Sequence, residues 1–176
     1  RVDLAEAVLL LAALGAADAS AFPWFESPEP QALELALTEL RDLGLLEPGG
    51  FALTPLGREV ARVPAHPRLG RLLQAAAHEG CLQDAALAAA LLGERPIVRA
   101  GAELGAGPGP SSDLLVLVDL LRQAHAAGFR ADVCEARGVL AGPARQVWAS
   151  ARILLEAARR VGWLERQAAD RIAAFG

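Results

Sequence analysis

Four arginines recur at every seventh position near the carboxyl end of the chain: Arg145, Arg152, Arg159 and Arg166. At 3.6 residues per helical turn, this spacing predicts one stripe of guanidinium groups that drifts only ~20° per step. A planar guanidinium grips phosphate and can also stack on a nucleobase. The stripe therefore predicts a track for a nucleic-acid backbone. The alternative is a solvated helix face, with Glu156 paired to Arg152 or Arg159.

Two further pairs of residues are candidates for contact with a nucleic acid. Ser112 and Asp113 follow a loop rich in proline and glycine, and we expect them first of all to cap a helix. The same helix start attracts phosphate, whereas the Asp113 carboxylate would accept from a base or a ribose hydroxyl. Arg68 and Arg71 are three residues apart, so they share one side of a predicted helix and face a motor domain, a strand or solvent.

The chain offers no recognisable catalytic or metal-binding motif. None of its 17 basic residues is lysine, which excludes a P-loop and a Schiff-base lysine. His78 and Cys81 have the spacing of half a metal site, but no second close pair accompanies them, so we predict no metal. We expect His125 on a helix face near a carboxyl end. We expect Trp148 in the core, with base stacking as the alternative.

The elements that position these residues are predicted to be helices. Apolar residues make up 53% of the chain, mostly alanine and leucine, and aromatic residues only 5%. No apolar run reaches the ~18–20 residues of a membrane span, and Asp3 and Glu6 stand where a signal peptide needs positive charge. Two cysteines indicate no disulfide framework. We expect a soluble, cytoplasmic protein without a membrane partner, and part of a longer polypeptide, because the chain does not begin with methionine.

The amino-terminal residues predict the order helix, helix, β-hairpin, helix, which is that of a winged helix-turn-helix. The first helix is expected from Val2 to Leu14, and the second from Pro28 to Leu43 with Ser27 as its N-cap. Short apolar runs on both sides of Pro48-Gly49-Gly50 indicate the hairpin wing. Thr54 and Pro55 then cap and start the third helix.

Two prolines mark the predicted boundary between domains. Pro64 ends the third helix because the residue before a proline is disfavoured in the α region, and Pro67 starts the next helix. We predict a winged-helix domain at residues 1–64 and a helical bundle at 65–176, with Pro64, His66 and Pro67 as a stiff joint. The bundle helices are expected at His66–His78, Cys81–Leu92, Ser112–Ala127, Arg130–Arg137, Pro143–Val161 and Trp163–Phe175.

Charge is unevenly distributed along the chain. Residues 1–63 hold four arginines against ten acidic residues, whereas residues 64–176 hold 13 arginines against 11 acidic residues. In a DNA-reading winged helix, the helix before the wing enters the major groove. Here that helix carries four acids and one arginine, so it would repel phosphates. We therefore assign nucleic-acid binding to the second part of the chain.

Two segments carry a resemblance to DEAH-box ATP-dependent helicases. The winged-helix and helicase-associated region of that family resembles LALTELRDLGLLEPGGFALTPLGREVARVPAHPRLGRLLQAAAHEGC, in which HPRL points to the bacterial HrpB branch. The ratchet segment of the family resembles SSDLLVLVDLLRQAHAAGFRADVCEARGVLAGPARQVWASARILL. In this segment Gly128, Phe129 and Cys134 fall on family positions, and Arg152 falls on the arginine before the final leucines. The family's Asp-His pair reads Asp113-Leu114 here, and its tryptophan before the cysteine is Val133.

The resemblance implies the accessory region of an ATP-dependent helicase that unwinds or remodels RNA or DNA. RecA-like motor domains of the same polypeptide, with ATP, Mg, the P-loop and the DEAH box, would then precede Arg1. An oligonucleotide-binding fold would follow Gly176. The present chain would have no cofactor and no catalytic residue of its own. Its winged helix would be a pivot, and its ratchet domain would close a tunnel around single-stranded RNA or DNA.

Two other classes of function stay open at this point. One is a winged-helix DNA-binding regulator with a helical dimerisation domain, against which the acidic second helix argues. The other is a helical protein-interaction scaffold, which needs no nucleic acid. An independent enzyme is disfavoured, because the chain lacks Gly-x-Ser-x-Gly, His-Glu-x-x-His and paired-cysteine motifs.

Overall fold

The computed structural model describes residues 3–99 and 112–164, which form a mainly helical protein. The helices are α1 Ala5–Ala13, α2 Pro30–Asp42, α3 Pro55–Val60, α4 Pro67–His78, α5 Leu82–Gly93, α6 Asp113–Ala126, α7 Ala131–Glu135 and α8 Ala141–Arg160. Within the described ranges, β pairing is limited to two isolated antiparallel bridges, Leu46 with Leu53 and Val98 with Val139. The prediction of a mainly helical protein is confirmed. The last predicted helix, Trp163 to Phe175, lies almost entirely outside the described residues.

The chain divides into two compact units, Arg1–Ala75 and Ala76–Gly176, and the boundary lies within α4. The predicted domains, 1–64 and 65–176, stay a prediction. In the part of the chain that the structure describes, no helix combines the length and apolar character that a bilayer crossing requires.

In the first unit, α1 packs against α2 through buried apolar residues, among them Val8, Leu33 and Leu40. The start of α2 differs from the prediction. The helix begins at Pro30 with Glu29 as its N-cap, so Ser27 is not the cap. The reason is the second proline: Pro30 holds the residue before it out of the α region, and Glu29 has an extended ψ of 129°.

The predicted wing is reduced to one bridge. Glu47 donates its N–H to the Ala52 carbonyl over 2.8 Å, and Thr54 donates its N–H to the Leu45 carbonyl over 3.0 Å. Gly49, with a φ of 70°, makes the turn. A two-stranded hairpin is not found among the described residues, because α2 ends just before Leu45 and Thr54 already caps α3.

The starts of α3 and α4 agree with the sequence. The Thr54 hydroxyl accepts the Gly57 N–H over 2.9 Å, with Pro55 at the first helical position, and Pro67 begins α4. A side chain at Gly57 would overlap the Leu45 carbonyl, so glycine is required where α3 approaches that turn. α3 ends at Val60 rather than at Pro64. The reason is that Arg62 and Val63 donate their N–H groups to carbonyls three residues earlier, as in a turn, instead of four residues earlier, as in an α-helix.

In the second unit, α5, α6 and α8 pack on one another, and α7 lies against α8. Buried alanines of α5 and α8 leave room for close helix packing around larger residues such as Leu121, Val147 and Trp163. α8 begins at Ala141, and the predicted first residue, Pro143, lies inside its first turn. Proline is tolerated there because the first N–H groups of a helix have no partner within the helix.

Candidate nucleic-acid interface

α8 separates a buried side from an arginine-bearing side. Ala144, Val147 and Ala151 are buried, whereas Arg145, Arg152 and Arg159 are exposed. Because α8 is continuous over these positions, the seven-residue spacing places the three guanidinium-bearing side chains along one side of the helix. We call these three residues the arginine face. Arg166, the fourth predicted member, lies outside the described residues.

The three arginines differ in their electrostatic surroundings. Glu156 accepts hydrogen bonds from Arg159 over 3.2 Å and from Arg160 over 3.4 Å. The bond from Arg159, followed by the charges of both arginines, lowers the pKa of the Glu156 carboxyl. Among residues 3–99 and 112–164, neither Arg145 nor Arg152 is paired with a carboxylate. The expected pairing of Glu156 therefore goes to Arg159 and not to Arg152.

Ser112 and Asp113 lie at the start of α6, and both are exposed. The Ser112 hydroxyl accepts the Leu114 N–H over 3.2 Å, so it caps the helix as predicted. The cap occupies the hydroxyl as an acceptor, and the Asp113 carboxylate adds negative charge at the same place. Their proposed contact with a phosphate or a ribose stays a prediction.

Arg68 and Arg71 belong to the first turns of α4, in the first unit. Arg68 donates twice to Glu39, over 2.5 Å and 2.9 Å, and these hydrogen bonds raise the pKa of Arg68. Arg71 donates to the Gln74 amide oxygen over 2.5 Å. Arg68 also borders an open groove of about 600 Å³ whose charged lining includes Asp3, Glu39 and Asp42. A role in phosphate binding stays a prediction, and this acidic lining disfavours it for Arg68.

The predicted joint combines buried and exposed residues. Pro67 is fully buried and Pro64 is exposed. His66 Nε2 lies 3.1 Å from an Asp3 carboxylate oxygen, and His66 Nδ1 accepts the Arg68 N–H over 3.3 Å. The backbone hydrogen bond from Ala5 is the main cause that lowers the pKa of Asp3, and the His66 contact adds to it. The role of these residues as a mechanical joint stays a prediction.

An aromatic cluster beside the arginine face is the feature that the sequence did not predict. His125 of α6 stacks on Trp148 of α8, with ring centroids 3.7 Å apart and planes 10° apart. Phe129 meets both rings nearly edge-on, at 5.7 Å from His125 and 6.4 Å from Trp148. The Arg145 guanidinium lies 5.8 Å from the centre of the Phe129 ring. Trp148 is half-buried rather than a core residue.

The end of α6 explains how Phe129 reaches this cluster. Phe129 donates its N–H to the Ala124 carbonyl over 2.8 Å, and Gly128 donates to the His125 carbonyl over 2.8 Å. This is the Schellman pattern of a helix end. Phe129 adopts a φ of 55°, which is rare for residues other than glycine and costs backbone energy. The contacts of its ring with His125 and Trp148 offset this backbone strain. The signal available in the sequence was the placement of Trp148 between Arg145 and Arg152, with Gly128-Phe129 after a helix.

The two cysteines do not pair. Cys81 is exposed and Cys134 is buried, and both are free thiols. Over residues 3–99 and 112–164, no group of three or more histidine, cysteine, aspartate or glutamate side chains is arranged to hold a metal ion.

The fold and this site define a helical protein whose second unit exposes an arginine-bearing helix face next to stacked aromatic rings. No protein-family model matches the chain. The ATP-dependent RNA helicase HrpA of Escherichia coli K12 is 33% identical over 106 residues, which are 55% of this chain and 8% of that protein. The probable ATP-dependent RNA helicase DHR2 of Saccharomyces cerevisiae is 37% identical over 84 residues, 48% of this chain and 11% of that protein.

A third relative gives the same result. The pre-mRNA-splicing factor ATP-dependent RNA helicase prp22 of Schizosaccharomyces pombe is 34% identical over 84 residues, which are 48% of this chain and 7% of that protein. About half of the chain is thus homologous to ATP-dependent RNA helicases, and the chain spans only a small part of their length.

Proposed function

We propose that this chain is the accessory region of a DEAH-box ATP-dependent RNA helicase, and that it guides single-stranded RNA along the arginine face of α8. The observation that carries the proposal is the exposure of Arg145 and Arg152 on one side of α8, with no carboxylate partner in the described part of the chain. A guanidinium without an acidic partner keeps its charge and its donors for phosphate. The homology to RNA helicases makes RNA, rather than DNA, the strand that we propose.

The two units have different roles in this proposal. The second unit, with the arginine face, is the ratchet that holds the strand. The first unit corresponds to the winged helix, although its wing is a single bridge, and it acts as a spacer. The exposed acids of α2, such as Glu34 and Asp42, make it unsuitable as a phosphate-binding surface.

ATP hydrolysis belongs elsewhere in the same polypeptide in this proposal. A chain without lysine cannot provide the lysine of a P-loop, so ATP and Mg would bind to RecA-like motor domains outside this chain. The contribution of the present residues is to bind and orient the strand. The HrpB branch is the more specific assignment that the HPRL segment supports.

A salt titration of binding tests the proposal. The 176-residue chain is titrated against a fluorescent single-stranded RNA decamer, a duplex of the same length and a single-stranded DNA decamer, and anisotropy is followed from 50 to 200 mM salt. We expect weak binding to single-stranded RNA, with a logarithmic salt slope of about −0.7 for each phosphate contact. A preference for the duplex would instead indicate a DNA-binding regulator. Failure to bind any of the three would indicate a protein-interaction scaffold, and either result would overturn the proposal.

A further inference from the structure

We propose that His125, Trp148 and Phe129 form a stacking site for one unpaired nucleobase, beside the arginine face. The inference rests on the proposed function and makes it more specific, since it adds recognition of a base to recognition of the backbone. The three residues come from the end of α6, the loop that follows it and the middle of α8.

The His125 and Trp148 rings form a stack of two that a third flat ring could extend. The His125 and Trp148 rings are nearly parallel and their centroids are 3.7 Å apart, which is the separation of stacked planar rings. His125 is exposed and Trp148 is half-buried, so His125 is the more exposed residue of the pair. A flat nucleobase on the outer side of His125 would extend the stack by one layer. Every nucleobase has a π-face, so such a site accepts bases without strong sequence preference.

Phe129 holds the stack in place. Its ring planes lie at 67° to His125 and 66° to Trp148, so it meets both rings nearly edge-on. Edge-to-face contacts of this kind are favourable and directional. Because Phe129 is fixed by the Schellman end of α6, the two stacked rings are restrained before any ligand binds.

Charge next to the stack suits a nucleotide rather than a purely apolar ligand. Arg145 and Arg152 lie three residues before and four residues after Trp148 on α8, one helical turn to each side. A base on His125 would therefore have a guanidinium-bearing side chain near it along the helix in both directions, where the flanking phosphates of a strand would run. An aromatic surface flanked by arginines is the combination that binds single strands.

Two oligomers that differ only in their bases provide the test. Dissociation constants are measured by anisotropy for an adenosine decamer and for a decamer of abasic sugar-phosphate units, which has the same charge. The wild-type chain should bind the adenosine decamer about 5- to 150-fold more tightly, the range expected for one stacked base. His125→Ala should remove this preference and leave binding of the abasic decamer unchanged.

Matched variants separate stacking from general effects. His125→Phe keeps a flat ring, so it should retain most of the preference. Phe25→Ala removes a fully exposed aromatic residue of the first unit and should change neither constant. Circular dichroism of each variant verifies the fold.

The outcomes distinguish the two proposals. Equal binding of both decamers by the wild-type chain would refute the stacking site and leave the phosphate track in place. A preference for bases that survives in His125→Ala would also refute the site. If the wild-type chain binds neither decamer, the phosphate track and the stacking site are both refuted.

Discussion

Replacement of Arg152 by glutamine should weaken RNA binding more than the same change at Arg159. Both residues are exposed on one side of α8, so each loses one charge at a comparable position. Glu156 lies between Arg159 and Arg160 and neutralises one of their two positive charges. The guanidinium of Arg152 has no such neighbour among the described residues. It should therefore contribute a complete counterion-release contact, whereas Arg159 should contribute roughly half of one.

The expected magnitude follows from the salt dependence. A complete contact to a single strand contributes about 0.7 to the logarithmic slope. A rise from 50 to 200 mM salt weakens RNA binding by the wild-type chain and by each variant. This loss of affinity should be about 2.6 times smaller for Arg152→Gln than for the wild-type chain, and about 1.6 times smaller for Arg159→Gln. Glu156→Gln should act in the opposite sense, because it releases two guanidinium groups, and should raise affinity at low salt.

Anisotropy titrations with a single-stranded RNA decamer at four salt concentrations measure these slopes. Arg62→Gln is the matched control, since Arg62 is also exposed but belongs to the acidic first unit. Exposed substitutions of this kind change stability by no more than about 0.5 kcal/mol, so folding should be unaffected. Equal slopes for the wild-type chain, Arg152→Gln and Arg62→Gln would show that α8 carries no phosphate track.

The remaining predictions concern stability of the first unit. Thr54→Ala should destabilise the first unit by about 1–2 kcal/mol in urea denaturation, because the Thr54 hydroxyl accepts the Gly57 N–H and donates to the Gly44 carbonyl. Thr54→Ser keeps a hydroxyl and should retain most of this stability. An equal loss in both variants would contradict the capping role. Asp3→Asn should cost less than about 1 kcal/mol at neutral pH, because the group is largely exposed. The pKa of Asp3 is lowered in the folded state, so the Asp3 carboxylate stabilises the fold above the ordinary pKa of 3.8, and this stabilisation is lost as pH falls through the lower folded-state pKa. The denaturation midpoints of Asp3→Asn and of the wild-type chain should therefore converge only in acid. A constant difference at all pH values would refute an origin in the Asp3 charge.

Local signals in the sequence predicted the helices well where a cap or proline had no competitor. Thr54-Pro55 and Pro67 start helices as expected, because hydroxyl capping and the fixed φ of proline act within one turn. Ser27-Pro28 failed because Pro30, two residues later, restricts Glu29. The prediction of a β-hairpin wing was wrong for a related reason. The turn residues were identified correctly, but the length of the strands depends on where α2 ends and α3 begins.

The site was predictable only along one helix. The arginine spacing is a property of α8 alone, so periodicity was sufficient to place Arg145, Arg152 and Arg159 on one side. The stack of His125 on Trp148 joins residues 23 positions apart, and it depends on how α6 packs on α8. No local pattern encodes that packing. The same holds for the pairing of Arg68 with Glu39, which no spacing rule for a single helix could predict.

The surroundings of Arg145 and Arg152 argue for α8 as the strand-binding surface. In the first unit, Arg41 and Arg58 donate to backbone carbonyls and Arg68 to a carboxylate, so these side chains serve the structure around them. On α8, Arg145 lies over an aromatic ring and Arg152 has no carboxylate neighbour in the described chain. An exposed ion pair adds little to the stability of a fold, so stability does not explain two arginines on one side of α8, Arg145 and Arg152, that lack a carboxylate partner among the described residues; an external anion explains them better. Because Arg145 and Arg152 flank a stack in which His125 is exposed, the anion that fits both features is one that carries bases at regular intervals, which is a single-stranded nucleic acid.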